Sequence, residues 1–314
     1  VTLGVALAGL AGLYGFGWAR LAMPLAPDPA APVVRVVQAD VKQEAKYDAQ
    51  NYRDIVARYV RLTAQPAARR PGIVIWPEGA LPDAAHSVLA PCSWPELAIL
   101  RALQPGQSLM MGTYRVSERG DRPIYFNSLI ALHREPAGLR VTGVYDKHRL
   151  VPFGEYLPAE RLLTPLGFKD LTHIGDSFTA GPRPAPLSPL AIPRVQPLIC
   201  YESLFPGLAG DGGGPRPRWI VNVSNDAWFG VTSGPWQHLN LASYRAIEQG
   251  LPIVRATPTG VSAIIDARGR ADPRQRLGSS RVGVIDALLP PVSAPTLYSR
   301  AGDLIFLLFL TLSV

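Results

Sequence analysis

Charge is scarce in this 314-residue chain: Asp, Glu, Lys and Arg make up 18% of it, against 47% hydrophobic residues. So much apolar surface excludes intrinsic disorder. Cysteine is scarcer still, with only Cys92 and Cys200. Two cysteines allow one disulfide, one nucleophile or two inert thiols, and they cannot build a metal framework. No basic run is longer than Arg69-Arg70. The formal net charge is +7 and the pI about 9.6, yet the cationic residues are dispersed and match no helix-turn-helix or zinc pattern. Nucleic acid is therefore not expected as a partner, and a basic surface beside anionic lipid head groups fits better. No internal repeat is visible, and the 32 prolines and 29 glycines follow no period. Collagen-like and low-complexity chains are excluded, and many short elements joined by loops are favoured.

What is present, first, is apolar length at both ends, which raises the mean hydropathy to +0.11. Val1 to Ala19 carries no charge; at about 1.5 Å per residue a helix over it spans roughly 28 Å, close to the hydrocarbon thickness of a bilayer. Its glycines (Gly4, Gly9, Gly12, Gly15, Gly17) suit close packing between membrane helices, and Arg20 ends the run. A signal peptide is the other reading, but no basic n-region precedes the apolar stretch. Leu304 to Val314 is a second uncharged run, too short to span alone, and reads as the start of a membrane helix or as a buried helix. The chain is thus expected to be a piece of a polytopic membrane protein. Charge bias does not settle the side of the long central region, since long domains translocate regardless of charge.

Between the ends, strands and helices alternate. Val33–Gln38, Gly72–Trp76, Ser108–Tyr114, Tyr125–Leu132, Leu139–Asp146, a short strand ending at Cys200, Trp219–Ser224, Ile253–Thr257, Val261–Ile265 and Val282–Ile285 read as strands. Helical spacing marks Asp48–Ala64, Trp94–Leu103 and Trp236–Gln249, the last stopped by Gly250. This order predicts a layered α/β domain with helices outside. In such folds chemistry collects just past the carboxyl ends of strands. Three polar residues sit there: Glu78 after GIVIWP, Lys147 after VTGVYD, and Cys200 after PLI. They are too far apart for any local structure to link them, but a sheet can gather strand ends. A carboxylate can take a thiol's proton and an ammonium favours the thiolate. An oxyanion formed on attack can be met by Lys147 and the backbone N–H of Tyr201.

The stretches WPEGALP (76–82), YDKHRLVPFGEYLP (145–158) and LICYESLFP (198–206) resemble the nitrilase, or carbon–nitrogen hydrolase, superfamily. Its Glu-Lys-Cys triad maps onto Glu78, Lys147 and Cys200. Together with the segment 221–266 they look like the apolipoprotein N-acyltransferase family within it, over about Val33 to Asp286. The resemblance implies a four-layer α-β-β-α domain over 33–290, preceded by a transmembrane helix at 1–20 and followed at 304–314 by the start of another. It implies a multi-pass protein of the bacterial inner membrane, its catalytic domain on the periplasmic side, monomeric, with no cofactor or metal. Cys200 is expected to take an acyl chain from a phospholipid as a thioester and pass it to the amine of a diacylglyceryl-cysteine apolipoprotein, with Glu78 as base and Lys147 as oxyanion stabiliser. Glu155, Tyr201 and Glu202 are expected to support them, the two glutamates by orienting Lys147 and keeping it charged.

Substrate contacts are expected at Tyr47, where the family often has tryptophan, and at Trp228 and Trp236, which either line an acyl pocket or simply pack. Leu163 and Phe168 belong to an apolar segment that is either a lid or core. Pro258 stands where the family commonly has asparagine, and Cys92 is expected to be non-catalytic. A soluble-type amidase hydrolysing a C–N bond uses the same triad and is the alternative.

Overall fold

The β-branched runs pair into two mixed sheets. In the computed structural model, which describes residues 2–47, 49–120, 122–158, 177–210 and 214–312, strands β1 (Val33–Gln38), β2 (Ile73–Trp76), β3 (Ser108–Arg119), β4 (Arg122–Glu135), β5 (Gly138–Asp146) and β11 (Gly283–Leu288) form one sheet in the order β11-β1-β2-β3-β4-β5. Strands β6 (Val195–Ile199), β7 (Trp219–Val223), β8 (Ile253–Ala256), β9 (Ser262–Ile265) and β10 (Ala271–Leu277) form the other, in the order β10-β9-β8-β7-β6. Both run parallel, parallel, antiparallel, antiparallel from their first strand: β1-β2-β3-β4-β5 and β6-β7-β8-β9-β10. The topology therefore repeats although the sequence shows no repeat, because strand pairing depends on apolar pattern rather than on residue identity.

Alternation decides which core each side chain enters. Val34, Val36, Ile73, Ile75 and Met110 point inward against Val195, Ile199, Trp219, Val221 and Val254 of the second sheet. From the same strands Val37, Val74 and Trp76 point the other way. They meet helices α2 (Tyr52–Thr63) and α4 (Trp94–Ala102); the short α3 (Ala85–Val88) lies between these two in the chain. Helix α2 is amphipathic, burying Ile55, Val56, Tyr59, Leu62 and Thr63 at helical spacing. On the second sheet Leu198, Ile220, Ile253 and Ile265 pack against Leu239 and Ala246 of helix α5 (Gly234–Gln249), which ends at Gly250 in the left-handed conformation, φ 63°. Helix, sheet, sheet, helix is the resulting order of layers.

Charge crosses this pattern at Arg35. Arg35, 1% exposed in the middle of β1, makes a forked pair with Asp286 of β11 at 2.7 and 2.6 Å and donates to the carbonyls of Leu62, Thr63 and Gln65. It caps the end of α2 and fixes it to the sheet. Strand β10 was not expected from the sequence ADPRQRL. It is a half-exposed edge strand whose charges and Pro273 fit an edge, where pairing with other chains must be discouraged.

The N-terminal run forms helix α1 (Thr2–Ala22), with large side chains such as Leu3, Leu13 and Tyr14 exposed. Among the described residues it is the one helix long and apolar enough to cross a membrane. Arg270 donates to the carbonyl of Leu21 at 3.2 Å, holding the end of α1 beside the second sheet. The C-terminal run gives a helix over Leu304–Leu312, nine residues long, about 13 Å at the usual rise and short of a bilayer's hydrocarbon thickness.

Candidate active site

Three strand ends meet at one mouth of the sandwich. Glu78 lies two residues past β2, Lys147 directly follows β5, and Cys200 directly follows β6. Cys200 sits at φ 50°, a left-handed conformation rare for a residue with a side chain, between the strand and a 3-10 turn over Cys200–Leu204. The sharp bend lifts the thiol off the sheet into a cavity of about 850 Å³ that Glu78 and Lys147 also line. The cavity walls are largely apolar, with Leu81, Phe153, Phe178, Leu204 and Trp228 among them.

Lys147 is 1% exposed, and its Nζ donates to Glu155 Oε1 at 2.9 Å and to Glu78 Oε1 at 3.3 Å. Burial works to lower its pKa, but the two carboxylates outweigh burial and the net shift is upward, so the amine is an ammonium. Asn127, in β4, donates its side-chain amide to the same two oxygens, at 2.6 Å to Glu78 and 2.7 Å to Glu155. Cation and amide hold Glu78 Oε1 from two sides. Glu78 Oε2 is buried with no hydrogen-bond partner among the described residues, which leaves it free to take a proton. The Cys200 thiol is pushed up to about 12, by burial first and by the Glu78 carboxylate second, while Lys147, the Ser224 side chain and the Asn225 N–H pull the other way. At neutral pH Cys200 is a thiol, with the Glu78 carboxylate beside it.

The supporting residues divide. Glu155 touches Lys147 directly, as expected, and its other oxygen accepts from the Val151 N–H at 2.8 Å. Glu202 is fully buried and makes no hydrogen bond to Lys147. Its Oε1 instead accepts from Tyr145 Oη at 2.7 Å and from the N–H groups of His148 and Arg149 at 2.8 and 3.1 Å, and its Oε2 accepts from the Ile199 N–H at 2.7 Å. Burial raises its pKa against those donors. It holds the backbone around Lys147 to the backbone before Cys200. Tyr201 lines the cavity and packs edge-on against Phe205.

Behind Cys200 is a network that sequence reasoning missed. The Cys200 carbonyl accepts from Ser203 Oγ at 2.9 Å and lies 3.3 Å from His238 Nε2. His238 Nδ1 is 2.9 Å from Asp226 Oδ1, and Arg255 Nη2 donates to both Asp226 oxygens at 2.9 Å. Burial alone would raise the pKa of Asp226, but Arg255 and His238 bring it down to about 2. Burial and Arg255 lower that of His238. A neutral imidazole that gives its Nδ1 proton to Asp226 has none on Nε2 for the Cys200 carbonyl, so the hydrogen bond on that carbonyl comes from Ser203 Oγ, 3.1 Å from Nε2.

A family model described as carbon-nitrogen hydrolase matches residues 33–277. The chain belongs to the carbon–nitrogen hydrolase family. Its fold is shared with an amidase of the nitrilase superfamily from Nesterenkonia AN1 (TM-score 0.53, 18% identity, 85% of this chain and 94% of that one) and with a nitrilase-superfamily member from Saccharomyces cerevisiae (TM-score 0.56, 16% identity, 85% and 92%). Over 311 residues it is 56% identical to the Caulobacter vibrioides protein named apolipoprotein N-acyltransferase, covering 99% of this chain and 58% of that protein. A Bradyrhizobium diazoefficiens protein of the same name is 39% identical over 298 residues, 92% of this chain and 53% of its own length. The chain thus spans a little over half the length of these relatives.

Within this carbon–nitrogen hydrolase domain the expected substrate contacts fare unequally. Trp228 is 64% exposed at the cavity rim, whereas Trp236 stacks under the Arg276 guanidinium at 4.9 Å instead of lining the cavity. Leu163 and Phe168, and the side chain of Tyr47, lie outside the described residues. Cys92 is exposed, and both cysteines are free. Asn127 gave no sequence signal, since an asparagine in mid-strand has no motif of its own. Gln43 and Lys46 reach the cavity from the loop after β1, and Gln43 Oε1 accepts from Asn225 Nδ2 at 2.8 Å. Among the described residues no cluster of His, Cys, Asp and Glu is arranged to hold a metal.

Proposed function

We propose that this chain carries the catalytic domain, over residues 33–290, of an enzyme that moves an acyl chain from a phospholipid to the N-terminal amine of a diacylglyceryl-cysteine apolipoprotein. Glu78, Lys147 and Cys200 form its catalytic triad. The observation that carries the reading is the pairing of an unpartnered Glu78 Oε2 and a protonated Cys200 thiol in one apolar cavity, supported by the names of the similar proteins.

In the first half-reaction Sγ attacks the ester carbonyl of the donor while Glu78 accepts the thiol proton. Two of the three Lys147 donors are engaged with Glu155 and Glu78, and the third meets the oxyanion. One such donor is worth about a hundredfold to a thousandfold in rate. Collapse breaks the acyl C–O bond, the Glu78 proton passes to the leaving oxygen, and a lysophospholipid departs from a Cys200 thioester. In the second half the acceptor amine attacks the thioester, gives a proton to Glu78, and the C–S bond breaks as Sγ is reprotonated. The apolar walls suit a thioester that must survive until an amine arrives rather than meet water.

Helix α1 and the run beginning at Leu304 are the membrane attachments in this reading. In this reading the domain works at the periplasmic face of a bacterial inner membrane, as a monomer. Intact-mass measurement of the protein after incubation with phospholipid tests it. The expected result is one added acyl group on Cys200, absent in Cys200→Ala and discharged by an apolipoprotein-like peptide amine. Release of ammonia from small amides with no acyl adduct from lipid would instead support a C–N hydrolase, the activity class of the amidase that shares the fold.

A further inference from the structure

Lys46 is the second lysine of the cavity, and the triad does not use it. It lies in the short turn Glu44–Tyr47, and though the residue as a whole is half-buried, its Nζ is sealed from solvent and makes no hydrogen bond among the described residues. The amine packs over Gly79. A Cβ at that position would come 3.3 Å from Nζ, and Gly79 itself sits at φ 56°. Its electrostatic partner is Glu78; burial acts first and lowers its pKa to about 8, with Glu78 opposing. Near neutral pH the group is still mostly an ammonium. A sealed ammonium without acceptors gives up its hydration with nothing in return, so the site is complete only when something supplies an oxygen.

What supplies it must enter the cavity and carry negative charge. Lys46 and Lys147 are the only lysines or arginines lining the cavity among the described residues, and Lys147 is already matched by Glu78 and Glu155. Gln43, three residues earlier in the chain, lines the same cavity and adds no charge to it. We infer that Lys46 is the anion site of the acyl-donor pocket, where it holds the phosphodiester of the donor while the ester, a glycerol's length away, lies at Cys200. This rests on the phospholipid reading above. Lys46 is then a specificity-determining residue: it favours donors whose leaving group carries a phosphate over neutral esters of the same acid.

The test compares Lys46→Met and Lys46→Arg with the unaltered protein in detergent micelles. Single-turnover thioester formation on Cys200 is measured by intact mass with dioleoyl phosphatidylglycerol and with dioleoylglycerol, which has the same ester but no phosphate. The expected result is a fall of about tenfold to a hundredfold in the phospholipid-to-diacylglycerol rate ratio for Lys46→Met, as expected for loss of a charged hydrogen bond, with partial recovery in Lys46→Arg. A ratio within twofold of the unaltered protein overturns the inference whatever the absolute rates. An effect confined to the aminolysis step and its pH profile overturns it too, by making Lys46 a base for the acceptor. A second measurement needs no turnover. sn-Glycerol 3-phosphate is expected to slow alkylation of Cys200 by iodoacetamide in the unaltered protein, with protection weakened at least tenfold in Lys46→Met. Equal protection in both proteins, or none in the unaltered one, refutes the anion site. If the unaltered protein forms no thioester with either lipid, the acyltransfer reading fails, and the alkylation experiment still decides the anion site.

Discussion

Removing the Lys147 ammonium tests whether the centre is held together by charge. The residue is 1% exposed, and its one cation serves two carboxylates, at 2.9 Å and 3.3 Å. Lys147→Met keeps the length of the side chain and deletes the charge, leaving Glu78 and Glu155 sharing a single amide, that of Asn127. Breaking a buried pair from one side costs about 3–5 kcal/mol. The variant limits that loss by protonating a carboxyl, whose folded pKa then lies above its unfolded value. A raised carboxyl pKa means the folded state holds more protons, so stability falls as pH rises through that range. In the unaltered protein the raised pKa belongs to Lys147, whose contribution is complete below the ordinary lysine range and is lost only as pH climbs above it. Urea unfolding in detergent, followed by tryptophan fluorescence, should place the variant about 3–5 kcal/mol below the unaltered protein at pH 8, with the deficit shrinking at pH 5. Lys147→Met/Glu155→Gln should regain part of it at pH 8. A deficit under about 1 kcal/mol at pH 8, or the same deficit at both pH values, would refute a charge-held centre.

Three further outcomes are expected. Glu78→Gln removes a charge that raises the Cys200 pKa, so the pH profile of iodoacetamide alkylation moves down even as acyl transfer is lost; an upward move contradicts the assigned polarity. Gly112→Ala places a Cβ 2.5 Å from the Pro77 carbonyl oxygen and 2.6 Å from Glu78 Cα, backbone that cannot swing aside; it should cost about 1–3 kcal/mol of stability and about a hundredfold in rate through displacement of Glu78, and a variant with native kinetics would show that this contact does not position the base. Glu202→Gln sets an amide donor against N–H or O–H groups that now find only carboxylate oxygen, so about 1–3 kcal/mol of stability should go and thioester formation should slow, while a melting temperature equal to that of the unaltered protein speaks against its bridging role.

Runs such as VVRVVQ and GIVIW announce strands because β-branched residues suit a pleated, buried surface, and most of the sheet was legible from them. Strand β10 was not, since ADPRQRL has the composition of a loop and is a strand only because β9 offers it an edge. Glu78, Lys147 and Cys200 were legible because each follows a strand, and the strand end is where an α/β fold exposes polar groups. Asn127, Lys46 and the Asp226–His238–Arg255 network were not. Their roles arise from neighbours 49, 28, 12 or 29 residues away in the chain, as with Asn127 and Glu78, Asn127 and Glu155, His238 and Asp226, or Arg255 and Asp226.

By itself the sequence determined the alternation of elements, the apolar helix at the start and the three chemical groups at strand ends. These depend on local pattern, on side-chain periodicity and on the chemistry of single residues. Tertiary structure decided which oxygen of Glu78 is tied and which is free, that Glu202 braces backbone rather than touching Lys147, and that Lys46 is left without an acceptor. Those are properties of distance and burial. Both come into being only when two sheets close on one another and water is excluded from the space between their ends.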